Sequence, residues 1–128
     1  MTLIAIVDDS RLARSFAAAC LKQAGHEVVE VEPTSLSEVL EKLRELSPAL
    51  LVLDQRMPTF SGSSLVRACF EDEALISLKV VMLTAHHDAD MEGRLEKLGV
   101  HVVLHKPISP ADLNKAVTEL LRGPGATS

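Results

Sequence analysis

Apolar residues alternate between two patterns along this chain. Short runs lie at 3–7 (Leu-Ile-Ala-Ile-Val), at 49–53 (Ala-Leu-Leu-Val-Leu) and at 78–84, where Leu78, Val80, Val81, Met82 and Leu83 precede Thr84. Such runs are too short for ordinary helices and suit strands buried on both faces. A fourth run, 27–31, interleaves Glu27 and Glu30 with valines and reads as an edge strand, and 100–104 gives a fifth. Between them the spacing changes to that of helices. Leu12, Phe16, Ala19 and Cys20 form the apolar stripe expected of a helix over 10–24, stopped by Gly25. Ser35 with Glu38 reads as a capping box opening a helix with Leu36, Val39, Leu40 and Leu43 inward. Leu65, Val66, Cys69 and Phe70 mark the third helix, after Gly62. The segment 86–98 is polar, with a thin stripe of Met91, Leu95 and Leu98 before Gly99. Ser109 and Pro110 start the last helix, buried through Leu113, Val117, Leu120 and Leu121.

Strand and helix thus alternate five times, which predicts an α/β fold: a five-stranded parallel sheet with helices on both faces and right-handed crossovers. The domain spans 1–122, and 123–128 reads as a frayed Gly- and Pro-containing tail. In a parallel sheet the carboxyl ends of all strands share one edge. Asp8, Asp9, Asp54, Thr84 and Lys106 each follow, or nearly follow, the last apolar residue of a strand. Five polar residues from four strands should meet at the edge where open α/β sheets bind ligands.

Composition narrows the function without naming it. The chain has 128 residues, enough for one domain with a real core. A net charge of −5 argues against nucleic acid or an anionic membrane as a direct partner. Cys20 and Cys69 fit no metal spacing and imply a reducing compartment. Nothing at the start resembles a signal peptide, and no apolar run has membrane-spanning length, so a soluble, cytoplasmic protein is expected.

The chemistry follows from the converging residues. Three carboxylates without a cation repel one another and raise their own pKa values. Mg2+ resolves this, since it prefers a few carboxylates together with water and phosphate oxygens. Lys106 adds a point charge suited to a phosphoryl oxygen, Thr84 a hydroxyl donor, and Ala85 leaves room beside it. There is no hydrolytic triad and no glycine-rich phosphate loop. The histidines lack ligand spacing and read as solvated, as do Arg11, Arg14 and Lys22 on the first helix. A nucleophilic carboxylate, a metal and a lysine are the parts for holding a phosphoryl group as an acyl phosphate.

Asp8-Asp9, then Asp54-Gln55-Arg56-Met57-Pro58 with Gly62, then Thr84-Ala85, then Lys106-Pro107 stand in order at these strand ends. On those four motifs the chain resembles, over essentially its whole length, the receiver domain of bacterial two-component response regulators, here as a stand-alone, chemotaxis-type protein. The resemblance implies a flavodoxin-like sheet of order 2-1-3-4-5. It implies Asp54 as phosphoacceptor, Asp9 as a direct Mg2+ ligand, Asp8 acting partly through water, and the Arg56 backbone carbonyl as a further ligand. Lys106 would pair with the phosphoryl group and Thr84 would move to hydrogen-bond it. Phosphate would come from a histidine kinase or phosphotransfer protein, and a downstream effector protein would read the result. Arg56 and His86, each two residues past a motif residue, should overhang the phosphoryl group and tune its lifetime. Val103 stands where the family often has an aromatic, which removes the usual aromatic switch.

Two other readings compete. An Asp-nucleophile Mg2+ phosphatase needs a second acid two residues past the nucleophile, and Arg56 occupies that place. A phosphorelay shuttle without an effector of its own would use the same pocket. The expected protein is a regulator that promotes only its own phosphorylation and dephosphorylation.

Overall fold

The computed structural model describes residues 2–85 and 87–122, so His86 and the segment 123–128 lie outside the described residues. Ten elements alternate: β1 (Leu3–Val7), α1 (Arg11–Gln23), β2 (Glu27–Val31), α2 (Leu36–Leu46), β3 (Leu50–Asp54), α3 (Gly62–Phe70), β4 (Lys79–Thr84), α4 (Ala89–Leu98), β5 (Val102–His105) and α5 (Pro110–Arg122). All five strands pair in parallel in the order β2-β1-β3-β4-β5. The charged run 27–31 is an edge strand, as its interleaved glutamates predict. β3 lies at the centre and is buried along its whole length. Among the described residues no helix is long and apolar enough to cross a membrane.

Successive strand residues point to opposite faces, so each strand feeds two cores. On one face Ala5, Val7, Leu51, Leu53, Val80 and Met82 meet α2, α3 and α4 through Val39, Leu43, Leu65, Val66 and Leu95. On the other, Ile4, Ile6, Val52 and Leu83 meet α1 and α5 through Ala17, Ala18, Leu21, Leu113 and Val117.

The buried face of α1 is not the predicted one. Ala17, Ala18 and Leu21 pack on the sheet, whereas Leu12 is 82% and Phe16 46% exposed. Two alanines let the helix backbone approach the strands closely. A stripe chosen by side-chain size therefore selects the opposite face. Leu12 and Phe16 instead border a surface groove with Pro107 and Ile108, residues of the loop after β5.

Helix ends follow the cap chemistry, with two differences. Ser35 Oγ accepts from the Glu38 N–H at 3.2 Å, but the Glu38 carboxylate accepts from the Thr34 hydroxyl at 3.0 Å, so only half of the capping box forms. The fourth helix begins at Ala89 because Asp88 caps it, its Oδ1 accepting from the N–H groups of Asp90 and Met91. Leu95 alone is fully buried on α4, as its thin stripe predicts. β5 starts two residues later than expected. His101 still extends the pairing: its N–H donates to the Val80 carbonyl and its Nδ1 accepts from the Val80 N–H, both at 3.0 Å. Burial and the neighbouring Lys79 hold the His101 pKa below the usual histidine value.

Candidate functional site

The predicted convergence is present at the carboxyl edge of the sheet. Asp8 follows β1, Asp54 ends β3, Thr84 ends β4 and Lys106 follows β5. Asp8 is only 1% exposed. Its Oδ1 accepts from the Ser10 N–H at 2.9 Å, and its Oδ2 lies 3.2 Å from Lys106 Nζ. The same ammonium lies 3.4 Å from Asp54 Oδ2. Asp9 is exposed at the rim, and one carboxylate oxygen from each of Asp8, Asp9 and Asp54 falls within 4.8 Å of the others. Thr84 is buried, and its carbonyl accepts from the Lys106 N–H at 2.8 Å, tying the two strand ends together. The Lys106–Pro107 peptide bond is cis.

The loop from β3 to α3 is held by backbone bonds that only a glycine permits. Gly62 donates its N–H to the Gln55 carbonyl at 2.8 Å, and a Cβ on Gly62 would stand 2.6 Å from the Asp54 carbonyl oxygen. Replacing it would push α3 away from the residue it helps to position.

The charges in this pocket are unbalanced. Three carboxylates face one ammonium among the described residues. Burial raises the pKa of Asp54 above the ordinary carboxylate value; Lys106 opposes this, Asp8 adds to it, and the Arg56 backbone N–H bond lowers it. Burial works against the charge of Lys106, but Asp54 and Asp8 override that and hold its pKa above the ordinary lysine value. The donor set is entirely hard oxygen, crowded and short of positive charge, which fits a small divalent cation.

Arg56 and Ala85 are exposed at the mouth, Arg56 having only its backbone committed to Asp54. His86 lies outside the described residues. Val103 is half-buried in β5 and packs against the α2–α3–α4 core.

Three contributors escaped the sequence reading. Arg14, expected on a solvated face, is mostly buried, donates from Nη1 to the Asp8 carbonyl at 2.6 Å and lies 3.5 Å from Glu30. Its position one turn into the helix that follows the acid pair was the available signal. Gln55, the residue after Asp54, clamps this loop to α3: its Oε1 accepts from the Ser63 N–H at 3.0 Å and its Nε2 donates to Ser63 Oγ at 2.8 Å. His105, expected to be solvated, donates from Nε2 to Glu92 Oε2 of α4 at 3.2 Å and stacks on His87 with ring centroids 4.1 Å apart.

Comparison with known proteins agrees with this geometry. The phosphate regulon transcriptional regulatory protein PhoB of Pseudomonas aeruginosa is 33% identical over 124 residues, 95% of this chain and 53% of PhoB, so the chain spans about half the length of that relative. The polar-differentiation response regulator DivK of Brucella ovis is 28% identical over 106 residues, covering 83% of this chain and 85% of DivK. The chemotaxis response regulator CheY4 of Vibrio cholerae superposes with a TM-score of 0.84 at 25% identity, over 94% of this chain and 98% of that one. From residue 4 to residue 118 the sequence matches the response regulator receiver domain, and the chain belongs to that family.

Proposed function

We propose that this chain is a phosphorylation-controlled regulator whose Asp54 accepts a phosphoryl group from a phosphohistidine of a histidine kinase or phosphotransfer protein. The observation that carries this reading is the Asp54 carboxylate, at the end of the central strand, 3.4 Å from Lys106 Nζ and clustered with Asp8 and Asp9. A carboxylate oxygen of Asp54 attacks phosphorus, a P–O bond forms as the P–N bond breaks, and the leaving imidazole takes a proton. Lys106, already directed at Asp54, turns its charge to a phosphoryl oxygen. The Thr84 hydroxyl reaches a second oxygen, with Ala85 beside it leaving room. Asp8, Asp9, Asp54 and the Arg56 carbonyl would hold Mg2+, which when bound offsets charge on the phosphoryl oxygens.

Receiver domains are regulatory, and the rim supports that role here. A phosphatase using the same nucleophile needs an acid where Arg56 stands, and a guanidinium cannot protonate a leaving group. We infer that the product is a stored acyl phosphate that changes affinity for an effector protein, in the cytoplasm. The test is acetyl phosphate with Mg2+, followed by intact-mass analysis. One phosphoryl group should appear on Asp54, labile to hydroxylamine, and disappear in Asp54→Asn. Undiminished uptake in that variant would sink the proposal.

A further inference from the structure

A second cavity lies away from the carboxylates, between α3 and α4, with a volume of about 540 Å³. Arg67 projects into it from one helix, Arg94 and Lys97 from the other, and no acidic side chain among the described residues lines it. All three cations are exposed, and none has an ion-pair partner among the described residues. That is unusual in a chain of net charge −5, because like charges facing one another across a groove repel unless an anion lies between them.

The rest of the lining is not what an inorganic ion needs. Met91, Leu95 and Leu98 form an apolar floor, which continues the core under the thinly packed α4. At the end nearest the carboxyl edge lie Gln55 and Ser63, whose amide and hydroxyl are hydrogen-bonded to each other. The cavity is therefore cationic along its walls and apolar below. Its volume lies within the range of small-molecule sites, roughly 300–1,000 Å³.

We propose that this groove binds a nucleotide-type organic phosphate. Guanidiniums of Arg67 and Arg94 suit bidentate contact with phosphate oxygens, and Lys97 adds a mobile point charge. A base would lie on the floor of Met91, Leu95 and Leu98, where the thioether favours an aromatic edge. The chain lacks a glycine-rich phosphate cradle, so side chains from two helices do the work that backbone N–H groups do elsewhere. An extended acidic peptide would leave the apolar floor of Met91, Leu95 and Leu98 unmatched.

The experiment is an amide NMR titration of the full chain with ADP and with GDP, in buffer free of divalent cations, beside inorganic pyrophosphate and hexaglutamate. At least one nucleotide should shift Ser63, Arg67, Met91, Arg94 and Leu98 and saturate with a Kd of roughly 1 mM or tighter. Pyrophosphate should bind more weakly, lacking a base. Arg67→Glu with Arg94→Glu should weaken nucleotide binding about tenfold or more; if that double variant loses its native spectrum, Lys97→Glu should weaken binding in the same direction. Silence with both nucleotides, shifts confined to Asp8, Asp9 and Lys106, or pyrophosphate or hexaglutamate binding as tightly as a nucleotide would each overturn the assignment. Phosphoryl uptake by Asp54 is measured separately, so either reading can fail without the other.

Discussion

Lys106 Nζ lies closer to Asp8, at 3.2 Å, than to Asp54, at 3.4 Å. The lysine is thus anchored by a carboxylate that is almost wholly buried. The anchor explains how one cation can both stabilise the resting pocket and remain available to a group arriving on Asp54.

Stability should report this arrangement directly. Asp54 has a folded pKa above its unfolded value of 3.8, so its contribution is fully present below 3.8 and is lost as pH rises through the folded pKa. At neutral pH the ionised group therefore weakens the fold, and Asp54→Asn should raise the melting temperature without metal. Lys106→Met should do the reverse, leaving Asp8 and Asp54 uncompensated. Because the Lys106 side chain is 23% exposed, the cost should be about 1–2 kcal/mol, below the 3–5 kcal/mol of a fully buried pair. Mg2+ should raise the wild-type melting temperature and fail to do so in Asp9→Ala. Urea or thermal unfolding by circular dichroism suits a chain without Trp or Tyr. Equal Mg2+ stabilisation of Asp9→Ala would remove Asp9 from the metal site.

Gly62→Ala tests whether the loop after Asp54 is built to tolerance. The added Cβ meets the Asp54 carbonyl at 2.6 Å and Met82 Sδ at 2.9 Å, and the backbone contact cannot swing aside. The variant should lose about 1–3 kcal/mol of stability, as overpacking does, and take up phosphoryl more slowly. Gly93→Ala is the control, since a Cβ there meets nothing within 4 Å. Matching stabilities for the two variants would mean that the loop yields freely.

Arg56 is exposed, its guanidinium has no ion-pair partner among the described residues, and it would reach over a phosphoryl group on Asp54. An exposed ion pair is worth about 0.2–1 kcal/mol, which caps its effect on hydrolysis near fivefold. Arg56→Ala should shorten the lifetime of the acyl phosphate by up to roughly that factor. The decay is followed by phosphate release or by mass, and a longer-lived variant would show that Arg56 assists water instead of obstructing it.

The strands and the acid–lysine edge were legible because burial on both faces leaves no alternative to apolar runs, and because parallel strands must end together. Leu50 to Asp54 could be read for that reason. Helix faces were legible only where large residues mark them. α3 and α5 follow Leu65, Val66, Leu113 and Val117, whereas α1 buries alanines and displays Leu12 and Phe16. Contacts between distant segments left no trace in the pattern. Arg14 reaching the Asp8 carbonyl and His105 reaching Glu92 depend on side-chain direction across elements, which spacing does not encode. His101 is similar, since an imidazole that completes a strand pairing resembles any other loop histidine.

The route by which phosphorylation leaves the pocket should run through His105. Val103 cannot act as a swinging aromatic, having one stiff side-chain torsion and little reach. Two residues further along the strand, His105 pairs across the sheet edge with Thr84, donates to Glu92 of α4 and stacks on His87 before that helix. A shift of Thr84 toward Asp54 would therefore pull on His105, and His105 is attached to the least buried helix of the fold. Such coupling is ordinarily worth about 1–3 kcal/mol, and a carboxylate–imidazole contact at the surface puts this protein at the low end. Beryllofluoride, standing in for the phosphoryl group on Asp54, should move the amides of Thr84, Ala85, His87, Met91, Glu92 and His105, with small changes at Val102 and Val103. In Glu92→Gln the α4 response should shrink while the shift at Thr84 persists, because the pocket is intact and the link to the helix is weakened. An α4 response that survives Glu92→Gln and His105→Val at full size, or one centred on Val103, would place the exit elsewhere on the β4–α4 segment.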